Sequence, residues 1–225
     1  MDTAIIFDLD GTVLYTDELI KRTFIKVFEK YQPGYTLSED ELLSFLGPSL
    51  KETFSKYFPD EMFNELLNYY HSYNHSHHED FAYVYPTVVE TLEYLKNRGY
   101  PLGIVTTKLK VAADVGLNTF DLKKYFDVVI GLDDVKVTKP DPEGIVKAME
   151  LLGVKKAVYI GDNITDIQAG KNAGIKTIGV KWSPLEHRLF GIRDCDKTFV
   201  TVPIVPCDSE LDSKDTISLI LRPKR

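Results

Sequence analysis

The sequence predicts a doubly wound parallel α/β sheet that carries a small helical insert, and three observations lead there. Short apolar runs recur at 4–7, 102–106, 126–130, 157–160 and 175–180. Helical patterns separate most of them, and alternating strand and helix reads as a parallel sheet with right-handed crossovers. The interval after the first run, residues 16–82, holds four amphipathic patterns and no strand.

The first run leads into Asp8-Leu9-Asp10-Gly11-Thr12. A continuous apolar run closed by Gly is a strand buried on both faces. Alternation puts Asp8 and Asp10 on one side. Two buried carboxylates repel, so a cation or a shared proton is expected between them. Taken alone, a capping Asp and a turn Asp would account for the pair. Its position at the end of a buried strand, where open parallel sheets bind ligands, argues otherwise.

In the insert, Thr16 or Asp17 caps a helix bearing Leu19, Ile20, Phe24, Val27, Phe28 and Tyr31, and Pro33-Gly34 stops it. Ser38-x-x-Glu41 forms a capping box ahead of Leu42 and Phe45. Gly47-Pro48-Ser49 breaks the chain before a helix through Phe54 and Tyr57, and Pro59-Asp60 opens a fourth with Leu66 and Tyr70. Beyond the insert, Thr87-x-x-Glu90 reads as another capping box, followed by Val88, Leu92 and Leu95, with Gly99 as terminator. Another helix is expected within 109–124. Asp141-Pro142 supplies a cap and a first-turn proline for a helix carrying Ile145, Ala148, Met149 and Leu152. A last helix is expected from Thr165 to Ala173. Residues 201–225, interrupted by Pro203 and Pro206, carry no clear pattern.

Apolar residues make up 44% of the 225, enough for a packed core, and the net charge is −7. That charge disfavours nonspecific nucleic-acid binding, so an anionic substrate needs locally placed cations. Cys195 and Cys207 make neither a disulfide framework nor a metal cluster. No signal peptide or 18-residue apolar run is visible, so a reducing cytoplasm and no membrane partner are expected.

The strand ends then add up. The first offers Asp8 and Asp10, the second Thr106-Thr107-Lys108, the third a loop to Lys139-Pro140, and the fourth Gly161-Asp162 with Asp166. Acids suit a hard divalent cation, while a lysine and a hydroxyl suit an anion beside it. A phosphoryl group fits both.

In this order and spacing, Asp8-x-Asp10-Gly-Thr12, Thr106, Lys139-Pro and Gly161-Asp162-x-x-x-Asp166 resemble the four motifs of the haloacid-dehalogenase-like hydrolase superfamily, whose fold is a Rossmann-like sheet with a cap. The resemblance spans 3–182 and divides the chain into a core, 1–15 with 83–225, and a helical cap, 16–82. The stretches at 45–50, 73–78, 103–108 and 139–142 look most like the bacterial pyrophosphatase and phosphoglycolate-phosphatase branch. The resemblance implies Asp8 as nucleophile forming an aspartyl-phosphate, Asp10 as general acid and base, and Thr106 and Lys139 as phosphoryl binders. It implies Mg²⁺ on Asp8, the Asp10 carbonyl and Asp162, with Asp166 as ligand or neighbour. Gly11, Thr12, Thr107, Gly47, Ser49 and His75 are the expected substrate contacts.

Departures narrow the reading. Asp10 is present, which disfavours dehalogenation, and Ile20 stands where the sugar-phosphate mutases carry a histidine. Pyrophosphate is expected first, phosphoglycolate or another small phosphomonoester second, on a monomer or homodimer. A phosphate-binding regulator is the alternative of another class, but Asp8, Asp10 and Lys139 are all retained. His71, His75 and His78 share one helical face, where zinc, the cleft or solvent are the options; no carboxylate or cysteine pattern completes a zinc site.

Overall fold

The computed structural model describes residues 2–180, 182, 197 and 198. In chain order the elements are β1 (Thr3–Phe7), β2 (Leu14–Tyr15), α1 (Asp17–Tyr31), α2 (Glu39–Ser44), α3 (Leu50–Phe54), α4 (Phe63–Ser76), α5 (His78–Phe81), β3 (Tyr83–Val84), α6 (Val88–Asn97), β4 (Leu102–Val105), α7 (Lys110–Thr119), β5 (Val128–Ile130), α8 (Glu143–Leu151), β6 (Lys156–Gly161), α9 (Ile164–Asn172), β7 (Lys176–Gly179) and β8 (Lys197–Thr198). Six strands form one parallel sheet in the order β5-β4-β1-β6-β7-β8. The chain builds outward from β1 to β5, then returns to the other side of β1. The strand order therefore reverses between β1 and β6, where a parallel sheet opens a crevice at its carboxyl edge.

Alternation along β1 divides the core. Ile5 and Phe7 pack on one face with Leu92, Leu95 and Leu117. Ala4 and Ile6 pack on the other with Ile145, Ala148 and Ala169. The insert has its own core of Phe24, Phe28, Phe45, Phe54, Phe58 and Tyr70, with Phe24 and Phe45 ring centroids 4.4 Å apart. Large aromatic areas let so short a bundle bury enough surface.

Several expectations need correction. The insert has five α-helices, the extra one being α5. Where the chain leaves and re-enters the core, β2 and β3 pair antiparallel, with Tyr15 opposite Tyr83. Two-residue strands have no visible period, so this ribbon was hidden. The Ser38–Glu41 capping box is present, but the one at Thr87 is not: Thr87 has φ +70° and its side chain does not cap α6. Thr16 occupies the cap position of α1 without capping it, because its hydroxyl donates to the Asp10 carboxylate at 2.7 Å, a charged acceptor that outcompetes a backbone amide. At α8 the cap position falls on Pro142 rather than Asp141, and Asp141, one residue earlier, accepts the Glu143 N–H with Oδ1 at 2.9 Å. The stretch at 201–225 lies outside the described residues.

Gly170 lies where α9 crosses β7, and an added Cβ would fall 2.2 Å from Thr177 Cγ2. In a free helix Gly→Ala gains about 1 kcal/mol. Here Gly170→Ala is expected to lose about 1–3 kcal/mol through overpacking, read as a lowered Tm in thermal denaturation.

Candidate active site

Asp8 follows β1, Thr106 follows β4 and Asp162 follows β6, so the edge of the sheet sets these three side by side. Lys139 reaches in from the loop before α8. Its ammonium donates to Asp8 Oδ1 at 2.7 Å and to Asp166 Oδ1 at 2.6 Å. All three side chains are at most 8% exposed. Asp166 sits in the first turn of α9, where its other oxygen accepts the Asn163 N–H at 2.9 Å and completes a capping box. One carboxylate thus fixes a helix start and a buried lysine together.

Burial pushes the Asp8 carboxyl up to about 7; Lys139 opposes the shift, and the charges of Asp166 and Asp10 add to it. Burial also works against the Lys139 charge, but Asp166 and Asp8 hold its pKa well above the usual lysine range. Asp8, Asp162 and Asp166 are buried and each offers an oxygen within 4.8 Å of the others. This set is rich in negative charge around one lysine, and its donors are all carboxylate oxygens, the chemistry of a hard divalent cation rather than of zinc. Asp10 lies apart from that set. Lys108 donates to its Oδ1 at 2.8 Å, and Thr16 donates to the same oxygen. Burial alone would raise its pKa, but Lys108 and Thr16 hold it below the usual range. Lys108, with no assigned role in the sequence, is thereby part of the site.

Gly11 has φ +81°, and a Cβ there would stand 2.4 Å from Asp162 Oδ2. No other residue would combine that turn with so close an acid. Its carbonyl accepts from the Trp182 indole N–H at 3.1 Å. The Thr12 hydroxyl is buried without a partner and does not line the cavity above the acids. Thr106 is buried, and its hydroxyl accepts the Lys108 N–H at 3.2 Å.

A cavity of about 750 Å³ lies between sheet edge and insert, lined by Asp8, Asp10, Thr106, Lys139, Asp162 and Asp166 below and by Gly47, Ser49 and His71 above. Gly47, with φ +104°, packs so tightly on Asn163 that a Cβ would lie 2.4 Å from its Nδ2. The Gly47 carbonyl accepts from the Thr107 hydroxyl at 2.9 Å. Thr107 therefore holds the insert against the core. Ser49 lines the cavity, but its hydroxyl is engaged: it donates to Glu52 at 2.7 Å in another capping box, which starts α3. Ser-x-x-Glu spacing could have shown this. His75 is exposed and is not on the cavity wall; the helical turn instead brings His71 and Asn74 there. His78 is buried against Phe120.

Asp17 also lines the cavity, with Oδ2 buried and unpartnered. Burial, then repulsion from Asp10, raises its pKa to about 6. The folded chain holds this proton more tightly than the unfolded chain, so stability is lost as pH rises from about 4 to about 6. Asp17→Asn is expected to remove that loss, stabilising the protein by about 3 kcal/mol at pH 7.5 and leaving it nearly unchanged near pH 4, as read from melts across pH.

Comparison with known proteins gives the family. A family model described as haloacid dehalogenase-like hydrolase matches residues 5–180. A protein of Bacillus velezensis named pyrophosphatase PpaX is 46% identical over 183 residues, covering 80% of this chain and 84% of that one. A protein of the same name from Bacillus cereus is 45% identical over 182 residues, covering 80% and 83%. Among solved structures, a haloacid dehalogenase-like family hydrolase of Streptococcus pneumoniae superposes with a TM-score of 0.74 at 24% identity, covering 89% of this chain and 94% of that one. CbbY of Rhodobacter sphaeroides, solved with phosphate, superposes with a TM-score of 0.76 at 21% identity, covering 88% and 94%. Those two likenesses concern the fold. With the family model matched over most of the chain and relatives at 45–46% identity, this chain belongs to the haloacid dehalogenase-like hydrolases.

Proposed function

We propose that this chain is a Mg²⁺-dependent phosphohydrolase that cleaves inorganic pyrophosphate through an aspartyl-phosphate on Asp8, with phosphoglycolate or another small phosphomonoester as the second choice of substrate. The observation that carries the phosphohydrolase reading is the buried Asp8 carboxylate, bound to Lys139 beside two further acids at the floor of the cavity between sheet edge and insert. The choice of pyrophosphate is supported by the relatives of that name at 44–46% identity. Residues 1–15 and 83–225 serve as the core and 16–82 as the cap. The substrate is a free small anion; neither nucleic acid nor a membrane takes part, in keeping with a net charge of −7. Among the described residues no helix is long and apolar enough to cross a membrane. The protein acts as a monomer or homodimer in the cytoplasm.

Asp8, Asp162 and Asp166, with the Asp10 carbonyl, would hold Mg²⁺. When bound, the ion supplies the positive charge that keeps Asp8 ionised and lowers its repulsion from an anionic substrate. Lys139 and Thr106 orient the phosphoryl group, and Gly11 and Thr12 shape the backbone beneath it. An Asp8 oxygen attacks phosphorus while the bridging P–O bond breaks and orthophosphate leaves. Asp10 then takes a proton from water, which attacks the same phosphorus and frees Asp8. Held anionic by Lys108, Asp10 is a ready base but a weak acid. That suits orthophosphate, which leaves far more easily than an alkoxide, and favours the anhydride over the ester.

The test is phosphate release from pyrophosphate and phosphoglycolate side by side with Mg²⁺. Pyrophosphate is expected to be the better substrate. Chelation of the metal with EDTA is expected to abolish release, and Mg²⁺ to restore it. Asp8→Asn is expected to remove measurable turnover, and Asp10→Asn to lower kcat about 10²–10⁴-fold. No release from either substrate, or full activity in Asp8→Asn, would overturn the reading.

A further inference from the structure

Trp182 is the one tryptophan of the chain. It follows β7 and spends its indole N–H on the Gly11 carbonyl at 3.1 Å. The turn after β1 closes on itself. The Leu9 carbonyl accepts the Val13 and Leu14 N–H groups at 2.9 Å each, and the Leu14 carbonyl accepts the Gly11 N–H at 2.8 Å. Those bonds set the shape of the turn, whereas the indole ties it to a residue 171 positions further on. That residue is well placed to hold it. The Val180 N–H donates to the Gly161 carbonyl at 2.9 Å, so Trp182 and Asp162 stand at neighbouring strand ends. Gly11 lies against both, since a Cβ on it would fall 2.4 Å from Asp162 Oδ2. The indole ring itself packs on Tyr85, with centroids 5.4 Å apart, where the chain has re-entered the core after β3.

We propose that Trp182 is a positioning residue whose indole N–H holds the Gly11 peptide against Asp162 and thereby sets the affinity of the carboxylate set for Mg²⁺. The inference rests on the Mg²⁺-dependent reading of the site and adds a residue to it. Gly11 is buried, so without the indole its carbonyl loses a donor that water does not readily replace. A glycine also has the freedom to turn in search of another partner. Such a turn moves two things at once. It shifts the backbone that touches the Asp162 carboxylate. It also swings the Asp10 carbonyl, which belongs to the peptide ending on the Gly11 nitrogen. Trp182 makes no contact with substrate in this scheme, and its effect falls on metal binding.

Calorimetric titration with Mg²⁺ in the absence of substrate tests this on wild type, Trp182→Phe and Trp182→Leu. Trp182→Phe keeps an aromatic ring against Tyr85 and removes the N–H. It is expected to bind Mg²⁺ about tenfold more weakly, the scale of one lost hydrogen bond. The Mg²⁺ concentration for half-maximal pyrophosphate cleavage should rise by about the same factor, with kcat at saturating Mg²⁺ within about threefold of wild type. Trp182→Leu, which also removes the ring, should show the same weakening together with a lowered Tm. Wild-type affinity in Trp182→Phe, or a kcat lost at saturating Mg²⁺ with affinity unchanged, overturns the proposal, leaving the ring a packing role only. Fluorescence of the wild type serves if neither variant folds. Emission from its one tryptophan should change as Mg²⁺ is added and saturate at the calorimetric affinity, and constant emission through saturation overturns the proposal. If wild type binds Mg²⁺ but cleaves neither pyrophosphate nor phosphoglycolate, the phosphohydrolase reading fails while the titrations still decide the role of Trp182. If it binds no Mg²⁺, both fail.

Discussion

The site depends on one ammonium group. Lys139 lies between Asp8 and Asp166, and without it the acids brought together by β1, β6 and α9 would carry uncompensated charge into a buried place. The lysine is itself kept charged only because both acids surround it. Each partner makes the other tolerable, so the arrangement stands or falls as a unit. Asp166 extends the dependence into the backbone, because its second oxygen starts α9. Loss of this carboxylate would disturb a helix end and a lysine at once.

A second cation divides the chemistry. Lys108 draws Asp10 away from the carboxylate set and pairs with it. Two acids two residues apart thereby acquire opposite character: burial leaves Asp8 short of positive charge, and a dedicated lysine keeps Asp10 anionic. Their different neighbours, rather than their positions on the strand, set their roles. The insert completes the enclosure by a short-range fit, Gly47 against Asn163 and Thr107.

The sheet was legible because buried parallel strands are continuous apolar runs closed by polar residues, and β1, β4 and β6 follow that form. Asp8, Asp162 and Asp166 were legible because each sits at a strand end or opens a helix, and Lys139 because it stands beside Pro140 in the loop after the third run. What stayed hidden was settled by competition in three dimensions. Thr16 looks like a cap in one dimension, yet a carboxylate six residues earlier claims its hydroxyl. Ser49 and Thr107 look like anion donors, yet Glu52 and the Gly47 carbonyl claim them. The His71, His75 and His78 face was visible, but helical phase alone does not say which residue meets the core. Lys108 stood at a strand end with no role assigned, since its partner Asp10 is distant in the chain.

The insertion point of the helical bundle has a consequence for how the molecule assembles. In the finished sheet Ile5 lies beside Leu102, and Thr3 beside Lys156. During synthesis β1 therefore waits for strands more than 90 residues later before it has both neighbours, whereas the aromatic bundle closes on contacts within its own stretch. Distant pairings of this kind slow folding, and an apolar strand without neighbours is prone to aggregate. The bundle follows that strand directly and can become compact while the strand is still unpaired. The polar end of the strand, Asp8 to Thr12, acquires its geometry only when β6 and the lysine loop arrive, so the assembly of the candidate active site and the closure of the sheet are one late event.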